Sequence, residues 1–227
     1  MFYKERNMKK IGIIALLLVM GSVFIYSEGT REYGYRSISI EEMEKNDLST
    51  EEINGILFMR EEEKLARDVY AKLYEIHGLP VFRNIGMSEQ THMDALGELI
   101  EKYGLEDPVA GEAPGSFQDP ELQELYAELV ERGGHSLSEA LAVGALIEDL
   151  DINDLLTEID VADNADVKVV YQNLLKGSRN HLRSFYMQLE RSGENYSPEF
   201  ITSEYYERVI GSPRERGGII PDPDYRF

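Results

Sequence analysis

A glutamate and a histidine three residues apart, Glu89 and His92, interrupt an otherwise apolar helical pattern. Apolar residues recur around them at the three-and-four spacing of one helix face, so both polar side chains are predicted to face the protein interior. Burying a carboxylate and an imidazole costs free energy unless each group finds a partner. Their spacing places both on the same face, as shared coordination of a metal ion requires. A hydrogen-bonded core pair or a solvated face would give the same short pattern.

The same interruption recurs in three further helical patterns. Glu63 lies on the apolar face of the first predicted helix, Glu148 on that of the third, and His181 on that of the fourth. Asp151 follows Glu148 by one turn, close enough to share its surroundings. One cation at the centre of a helical bundle would offset the cost of burying all these groups. Oxygen and imidazole ligands suit iron, manganese or zinc.

A polar core without metal is the alternative explanation of these interruptions. In that case Arg67, Arg179 or Arg183 would neutralise the buried carboxylates. The residues by themselves leave the two explanations open.

Other polar and aromatic residues receive structural interpretations. Glu61 and Glu62 fall off the apolar stripe of the first helix and are predicted to be solvated. Tyr70 and Tyr171 are predicted to be core aromatics whose hydroxyl groups are hydrogen-bonded.

Composition restricts the chemistry further. The chain has 227 residues, no Cys and no Trp, which excludes disulfides, thiolate zinc sites and iron–sulfur clusters. A formal charge of −20 argues against binding nucleic acid, whose phosphates would be repelled. The same charge suits a protein that attracts cations, although solubility alone also explains it.

The elements that must position these residues are helices, and no stretch has the alternation of a long strand. Capping residues and glycines divide the sequence into four main helices and a long connection with one short helix, which suits a crossover between the two halves of a bundle. The main helices are predicted from Ser49 to about His77, from about Val81 to Tyr103, after Ser136, and from near Asn164 to about Arg191.

The N-terminus is predicted to be a targeting segment. Lys4, Arg6, Lys9 and Lys10 precede an apolar run that is marginally short for a membrane span. We therefore expect residues 1–29 to be a signal peptide or a retained membrane anchor, and the protein to be exported. Residues 30–46 are predicted to be a linker, 47–192 the helical bundle, and 193–227 an irregular C-terminal tail.

The amino-acid sequences around the four interruptions are similar to those of a known family. The segments Glu63-Lys64-Leu65-Ala66-Arg67-Asp68-Val69-Tyr70, Ser88-Glu89-Gln90-Thr91-His92, Gly144-Ala145-Leu146-Ile147-Glu148-Asp149-Leu150 and Gly177-Ser178-Arg179-Asn180-His181 resemble domain-of-unknown-function family 2202. This family looks like a branch of the ferritin-like di-iron carboxylate superfamily, in which a glutamate from each of two helices and Glu-x-x-His from the other two hold the metals. The resemblance covers about Leu48 to Glu190.

The resemblance implies a fold, a cofactor and a class of activity. The fold is all-α, a ferritin-like four-helix bundle with a long crossover that contains a short extra helix. The cofactor is two metal ions, iron first and manganese or zinc as alternatives. The implied ligands are Glu63, Glu89, His92, Glu148 and His181, with Asp151 as an additional candidate and with Arg67, Tyr70 and Ser178 around them.

Members of the superfamily oxidise ferrous iron, reduce peroxide or oxygenate organic substrates, and the motifs do not choose among these activities. We expect an oxidoreductase that acts on dioxygen, peroxide or ferrous iron. A non-catalytic metal-binding or structural bundle at the membrane surface is the alternative. The expected partners are metal ions and a small oxidant or substrate, and a homodimer is compatible with the pattern.

One residue departs from the superfamily pattern, which expects a carboxylate where this chain has Ser178. A serine hydroxyl is a poor metal ligand and does not balance the charge of a cation. Two outcomes stay open: an asymmetric site with one tight and one labile ion, or a site for a single ion.

Overall fold

The computed structural model describes residues 40–227, and these form an all-helical bundle without a strand. The predicted targeting segment at 1–29 lies outside the described residues, as does most of the predicted linker. A short 3-10 turn, Ile40–Glu42, precedes six α-helices in this part of the chain. We number them α1 (Thr50–His77), α2 (Pro80–Tyr103), α3 (Pro120–Gly134), α4 (Leu137–Val161), α5 (Ala165–Arg191) and α6 (Ser203–Gly211).

Local sequence sets the ends of these helices. Ser49 caps α1 in a capping box, since its hydroxyl accepts the backbone N–H of Glu52 while the Glu52 carboxylate accepts that of Ser49. Gly78 ends α1 in the left-handed region that glycine tolerates, at φ 65°, and Pro80 begins α2 directly afterwards. The tight turn between the two helices makes them an antiparallel pair.

The bundle consists of two helix pairs joined by a crossover. α1 packs most extensively on α2, and α4 on α5, while α3 contacts α1 and α4 and so links the two halves. The predicted inward stripes are confirmed: the apolar positions of α1 from Ile56 to Leu73 and those of α5 from Val167 to Phe185 are buried. The polar interruptions lie on these same stripes, so they meet in the bundle interior.

Two expectations about polar surface residues are wrong. Glu61 and Glu62, predicted to be solvated, are buried. The Glu61 carboxylate accepts backbone N–H groups of Gln118 and Asp119, at 2.6 and 3.2 Å, where α3 begins. The crossover therefore folds back over α1 and covers a face that the helical periodicity assigns to solvent.

The C-terminal tail also differs from its prediction. The segment after residue 192, predicted to be irregular, contains the nine-residue helix α6, which packs on α5. Thr202 caps this helix by accepting the backbone N–H of Tyr205. Among the residues that the structure describes, no helix combines the length and apolar character needed to cross a membrane.

Candidate metal centre

Glu89 on α2 lies at the centre of the buried polar cluster. Its Oε2 atom lies 2.9 Å from Nδ1 of His92, and its Oε1 atom lies 3.0 Å from Nδ1 of His181. His92 follows Glu89 on the same helix, whereas His181 comes from α5 on the other side of the bundle. The two imidazole rings stack with their centroids 5.4 Å apart. One carboxylate thus faces two imidazole nitrogens with its two oxygens.

Each histidine also meets a second carboxylate. Nδ1 of His92 lies 3.2 Å from Oε2 of Glu63 on α1, and Nδ1 of His181 lies 3.4 Å from Oε2 of Glu148 on α4. The structure therefore brings together the five residues named as ligands, from all four long helices. None of the five is more than 8% exposed to solvent.

Several buried atoms of this cluster have no hydrogen-bond partner within residues 40–227. They are Oε1 of Glu63, Oε1 of Glu89, Oδ1 of Asp151 and Nδ1 of His181. Orphaned buried polar atoms are rare because each one costs desolvation free energy. Two of them, Oε1 of Glu89 and Nδ1 of His181, lie 3.0 Å apart without forming a hydrogen bond.

That separation fits a shared metal ion. Two ligands bound at about 2.1 Å and at right angles lie about 3 Å from each other. Glu89, His92 and His181 each offer a ligand atom, and these atoms lie within 4.8 Å of one another. The donor set of this buried Glu–His–His group could hold a metal ion.

The protonation of the cluster is strongly perturbed. Burial lowers the pKa of His181, but the charges of Glu89 and Glu148 outweigh this effect and raise it to about 10. Burial raises the pKa of Glu148 to about 7, against the opposing charge of His181. Burial also raises the pKa of Asp151 well above its ordinary value, with the charges of Glu63 and Glu148 adding to the effect. Without a cation, protons must neutralise this set of carboxylates.

Tyr70 and Ser178 lie around the cluster. The Tyr70 hydroxyl donates a hydrogen bond of 2.5 Å to Oε1 of Glu148, as expected for a satisfied core tyrosine. Ser178 is completely buried, and its hydroxyl donates to the backbone carbonyl of Leu174 at 2.9 Å. It also lies close enough to Asp151 to influence the pKa of that carboxyl group. Asp151 therefore lies near Ser178.

The arginines proposed as alternative counterions pair elsewhere. Arg67 donates to Asp68 and to the side-chain oxygen of Gln90. Arg179 donates twice to Glu215, at 2.7 and 2.6 Å, and Arg183 contacts the same carboxylate. Arg67 therefore does not take the place beside the ligands that was expected for it, and these contacts remove the argument for an arginine-neutralised core.

Sequence reasoning missed two neighbours of the histidines. Ser88 Oγ lies 2.9 Å from Nε2 of His181. Gly177 lies against the other ring, since a Cβ atom added there would meet Nε2 of His92 at 2.3 Å. Both residues stand in the quoted motifs, but only the crossing of α2 and α5 reveals what they touch. Tyr171 also differs from its prediction, because its buried hydroxyl has no hydrogen-bond partner in the described part of the chain.

An all-helical bundle with a buried carboxylate–imidazole group is the class that fold and site define. The chain belongs to the family described as "Uncharacterized protein domain (DUF2202)", whose model matches residues 52–213. It is 53% identical over 178 residues to "Uncharacterized protein MJ0754" of Methanocaldococcus jannaschii, a match that covers 78% of this chain and 96% of the relative. The crystal structure of hypothetical protein MJ0754 from Methanococcus jannaschii is similar, with a TM-score of 0.76 and 52% identity over 77% of this chain and 99% of that chain.

Proposed function

We propose that the protein is a ferritin-like four-helix bundle that binds two metal ions and acts as an oxidoreductase on dioxygen, peroxide or ferrous iron. The observation that carries the proposal is the position of Glu89. Its two carboxylate oxygens face imidazole nitrogens from two different helices at 2.9 and 3.0 Å. A carboxylate that presents one oxygen to each of two ligand groups is suited to bridge two metal ions.

The residues around Glu89 divide into two ligand sets. Glu63 and His92 would share one ion with it, and Glu148 and His181 would share the other, in agreement with the contacts described above. Carboxylate oxygen and imidazole nitrogen suit iron, and they also accept manganese or zinc. Iron is our first choice.

Asp151 would complete the second set. The superfamily pattern places a carboxylate on the helix of His181, where this chain has Ser178. Asp151 instead comes from α4, one turn after Glu148, and its buried Oδ1 atom has no hydrogen-bond partner in residues 40–227. A carboxylate supplied from the neighbouring helix would restore the negative charge that the serine does not provide.

Iron bound to these residues would supply an electron source and sink through its ferrous and ferric states. The protein's own groups would exclude bulk water, since all five ligand residues are buried. Tyr70 would hold Glu148 in place through its short hydrogen bond. His92 and His181, exposed by 8 and 4%, are the most exposed of the five ligand residues. A reactant of a few atoms fits such restricted access better than a large organic substrate.

Measurements of metal content and of activity together test this proposal. We expect the full chain loaded anaerobically with ferrous iron to retain about two ions per chain and to oxidise them in air. Asp151→Asn should lose one ion, while Asp160→Asn, an exposed position on the same helix, should lose none. Metal retained without oxidation of ferrous iron or reduction of peroxide would favour the alternative function, a non-catalytic metal-binding bundle, for which Ser178 is the supporting observation.

We also propose that the protein is exported, because basic residues precede the apolar run within residues 1–29. An alkaline phosphatase fusion after residue 46 should be active only if this segment carries it across the membrane. An inactive fusion that is fully expressed would contradict export.

A further inference from the structure

Within residues 40–227, Ser88 hydrogen-bonds the side of the His181 ring that points away from the candidate metal centre. Its Oγ atom lies 2.9 Å from Nε2 of that ring. Ser88 directly precedes Glu89 on α2, whereas His181 lies on α5, so the contact joins the two halves of the bundle. Nothing in the proposed function requires a hydroxyl at this position.

The chemistry of imidazole gives this contact a consequence. A neutral histidine carries one N–H, and the hydrogen bond at one ring nitrogen decides which nitrogen keeps a free lone pair. If Nε2 holds the proton and donates it to the serine oxygen, Nδ1 is left to coordinate. Nδ1 of His181 lies 3.0 Å from Oε1 of Glu89 and has no hydrogen-bond partner among the described residues. The serine and the candidate centre therefore lie on opposite sides of one ring.

We propose that Ser88 is a positioning residue that orients His181 for coordination through Nδ1. Its Oγ atom accepts a hydrogen bond from the Nε2–H group, which fixes the ring rotation and thereby aims Nδ1 at Glu89 and Glu148. The consequence for metal binding rests on the proposed function, whereas the ring orientation does not. Within one turn, α2 then supplies two ligands and the residue that orients a third.

The two histidines are held by different means, which makes the proposal specific. His92 is confined by packing, because the backbone of Gly177 on α5 approaches its Nε2 side closely. On its own Nε2 side, His181 is instead held by the hydrogen bond to Ser88. Loss of the Ser88 hydroxyl should therefore weaken the ion bound by His181 and leave the ion bound by Glu63 and His92 unchanged.

Three variants of the full chain test this role. Ser88→Ala removes the acceptor and Ser88→Thr restores it. Ser184→Ala is the matched control, since the Ser184 hydroxyl donates to the backbone carbonyl of Asn180 at 2.9 Å on the same helix as His181. Zinc titration measures affinity, and ¹H–¹⁵N correlation spectra of the imidazoles report exchange of the Nε2 proton with water.

We expect Ser88→Ala to bind one zinc ion about 10- to 100-fold more weakly, as for other partners of ligating histidines. Exchange of the His181 Nε2 proton should become faster, both with zinc and in the metal-free chain, and Ser88→Thr and Ser184→Ala should behave like wild type. Unchanged proton exchange in Ser88→Ala would overturn the positioning role, whatever the zinc affinity of that variant. Faster exchange with unchanged zinc affinity would overturn its consequence for coordination. A wild-type chain that binds no zinc would contradict the proposed function, while proton exchange in the metal-free variants would still decide the orientation of the ring.

Discussion

Neighbouring residues on the same helices differ completely in how their buried charges are compensated. On α1, Glu63 faces the bundle centre and Lys64 faces the crossover; on α4, Glu148 faces the centre and Asp149 faces the C-terminal segment. All four are at most 2% exposed. Lys64 and Asp149 are surrounded by hydrogen-bond partners, whereas the central cluster keeps unpartnered atoms within the described chain.

The outward-facing pair shows what a structural buried charge looks like. The Lys64 ammonium donates to Asp68 and to the backbone carbonyls of Ala113 and Ser116, at 2.7, 2.8 and 3.0 Å, which uses its three donors. The Asp149 carboxylate accepts the Tyr196 hydroxyl and three backbone N–H groups, those of residues 199–201. Both side chains attach an irregular segment to a helix.

Buried charges that indicate a ligand differ from structural ones in their partners. Burial alone does not distinguish the two regions, since both are equally inaccessible. The difference is that the central carboxylates and imidazoles face mainly one another and leave buried atoms without a hydrogen-bond partner, while Lys64 and Asp149 are matched by backbone groups and side chains. A cation resolves the first arrangement, and the second needs none.

Removing Glu89 should have the largest effect on the central region. Wild-type protein should gain about 4 kcal/mol of stability for each bound ion at a metal concentration 1,000 times the dissociation constant of its site. Glu89→Ala should gain almost nothing, because the residue proposed to bridge both ions is absent. Thermal unfolding with and without metal measures the gain, and Glu98→Ala, an exposed position on the same helix, is the control. A full gain in Glu89→Ala would show that the ligand set is wrong.

Removing Asp149 should damage the peripheral region and spare the central one. Asp149→Asn places an amide donor against backbone N–H groups and should lower the free energy of unfolding by about 3 kcal/mol. The loss should be the same with and without metal, and the metal content per folded chain should not change. Urea unfolding of the metal-free and the metal-bound protein measures this loss of unfolding free energy. A loss confined to the metal-bound form would mean that the two regions are not independent.

A methyl group at Gly177 should give a smaller effect, confined to the His92 side. In Gly177→Ala the new Cβ meets Nε2 of His92, and such overpacking costs about 1–3 kcal/mol. Gly97→Ala is the control, since its Cβ would find its nearest neighbours, atoms of the Arg60 side chain, at 3.6 Å. Denaturant unfolding and metal titration compare the two variants. Equal metal affinity and stability in both would contradict the close approach of α5 to His92.

The pH dependence should also change sign between the metal-free protein and the metal-bound protein. In the metal-free protein the pKa of His181 is raised to about 10 from an ordinary value of about 6.5, so the folded state binds this proton more tightly. Its contribution to stability is fully present below pH 6.5 and is lost as pH rises through 10, at up to about 1.4 kcal/mol per pH unit for each proton.

Metal reverses this trend, because coordination requires the imidazole without its second proton. Glu148, with a pKa raised to about 7, must also lose its proton. Apparent metal affinity should therefore rise between pH 6 and 9 while the metal-free protein becomes less stable over the same range. Calorimetric titration and thermal unfolding at matched pH values measure the two trends. A metal affinity independent of pH would contradict proton displacement from this cluster.

Much of the interior follows from sequence periodicity. The stripes that carry Glu63, Glu89 and His181 were predicted to face inward because apolar residues flank them at helical spacing, and they do. Periodicity describes one helix at a time, however. It does not tell that α3 covers Glu61, that Glu215 pairs with Arg179, or that Ser88 meets a histidine 93 residues away. Those contacts depend on how helices cross, which no local pattern contains.

The C-terminal tail shows the same limit of prediction from local sequence. Prolines and glycines predict an irregular segment there, but α6 is short and its cap, Thr202, is recognised only once the backbone is known. The attachment of the tail through Asp149 could not be predicted either, because that residue looks like an ordinary charged helix position in the sequence.

The central claim is that Glu89 joins two metal ions inside this bundle, and metal stoichiometry tests it most directly. The measurement is elemental mass spectrometry of the full chain and of Glu89→Ala after anaerobic ferrous loading and removal of unbound metal. We expect about two ions per wild-type chain and almost none in the variant. A folded wild-type chain that retains no metal, or a variant that retains as much as wild type, would contradict it.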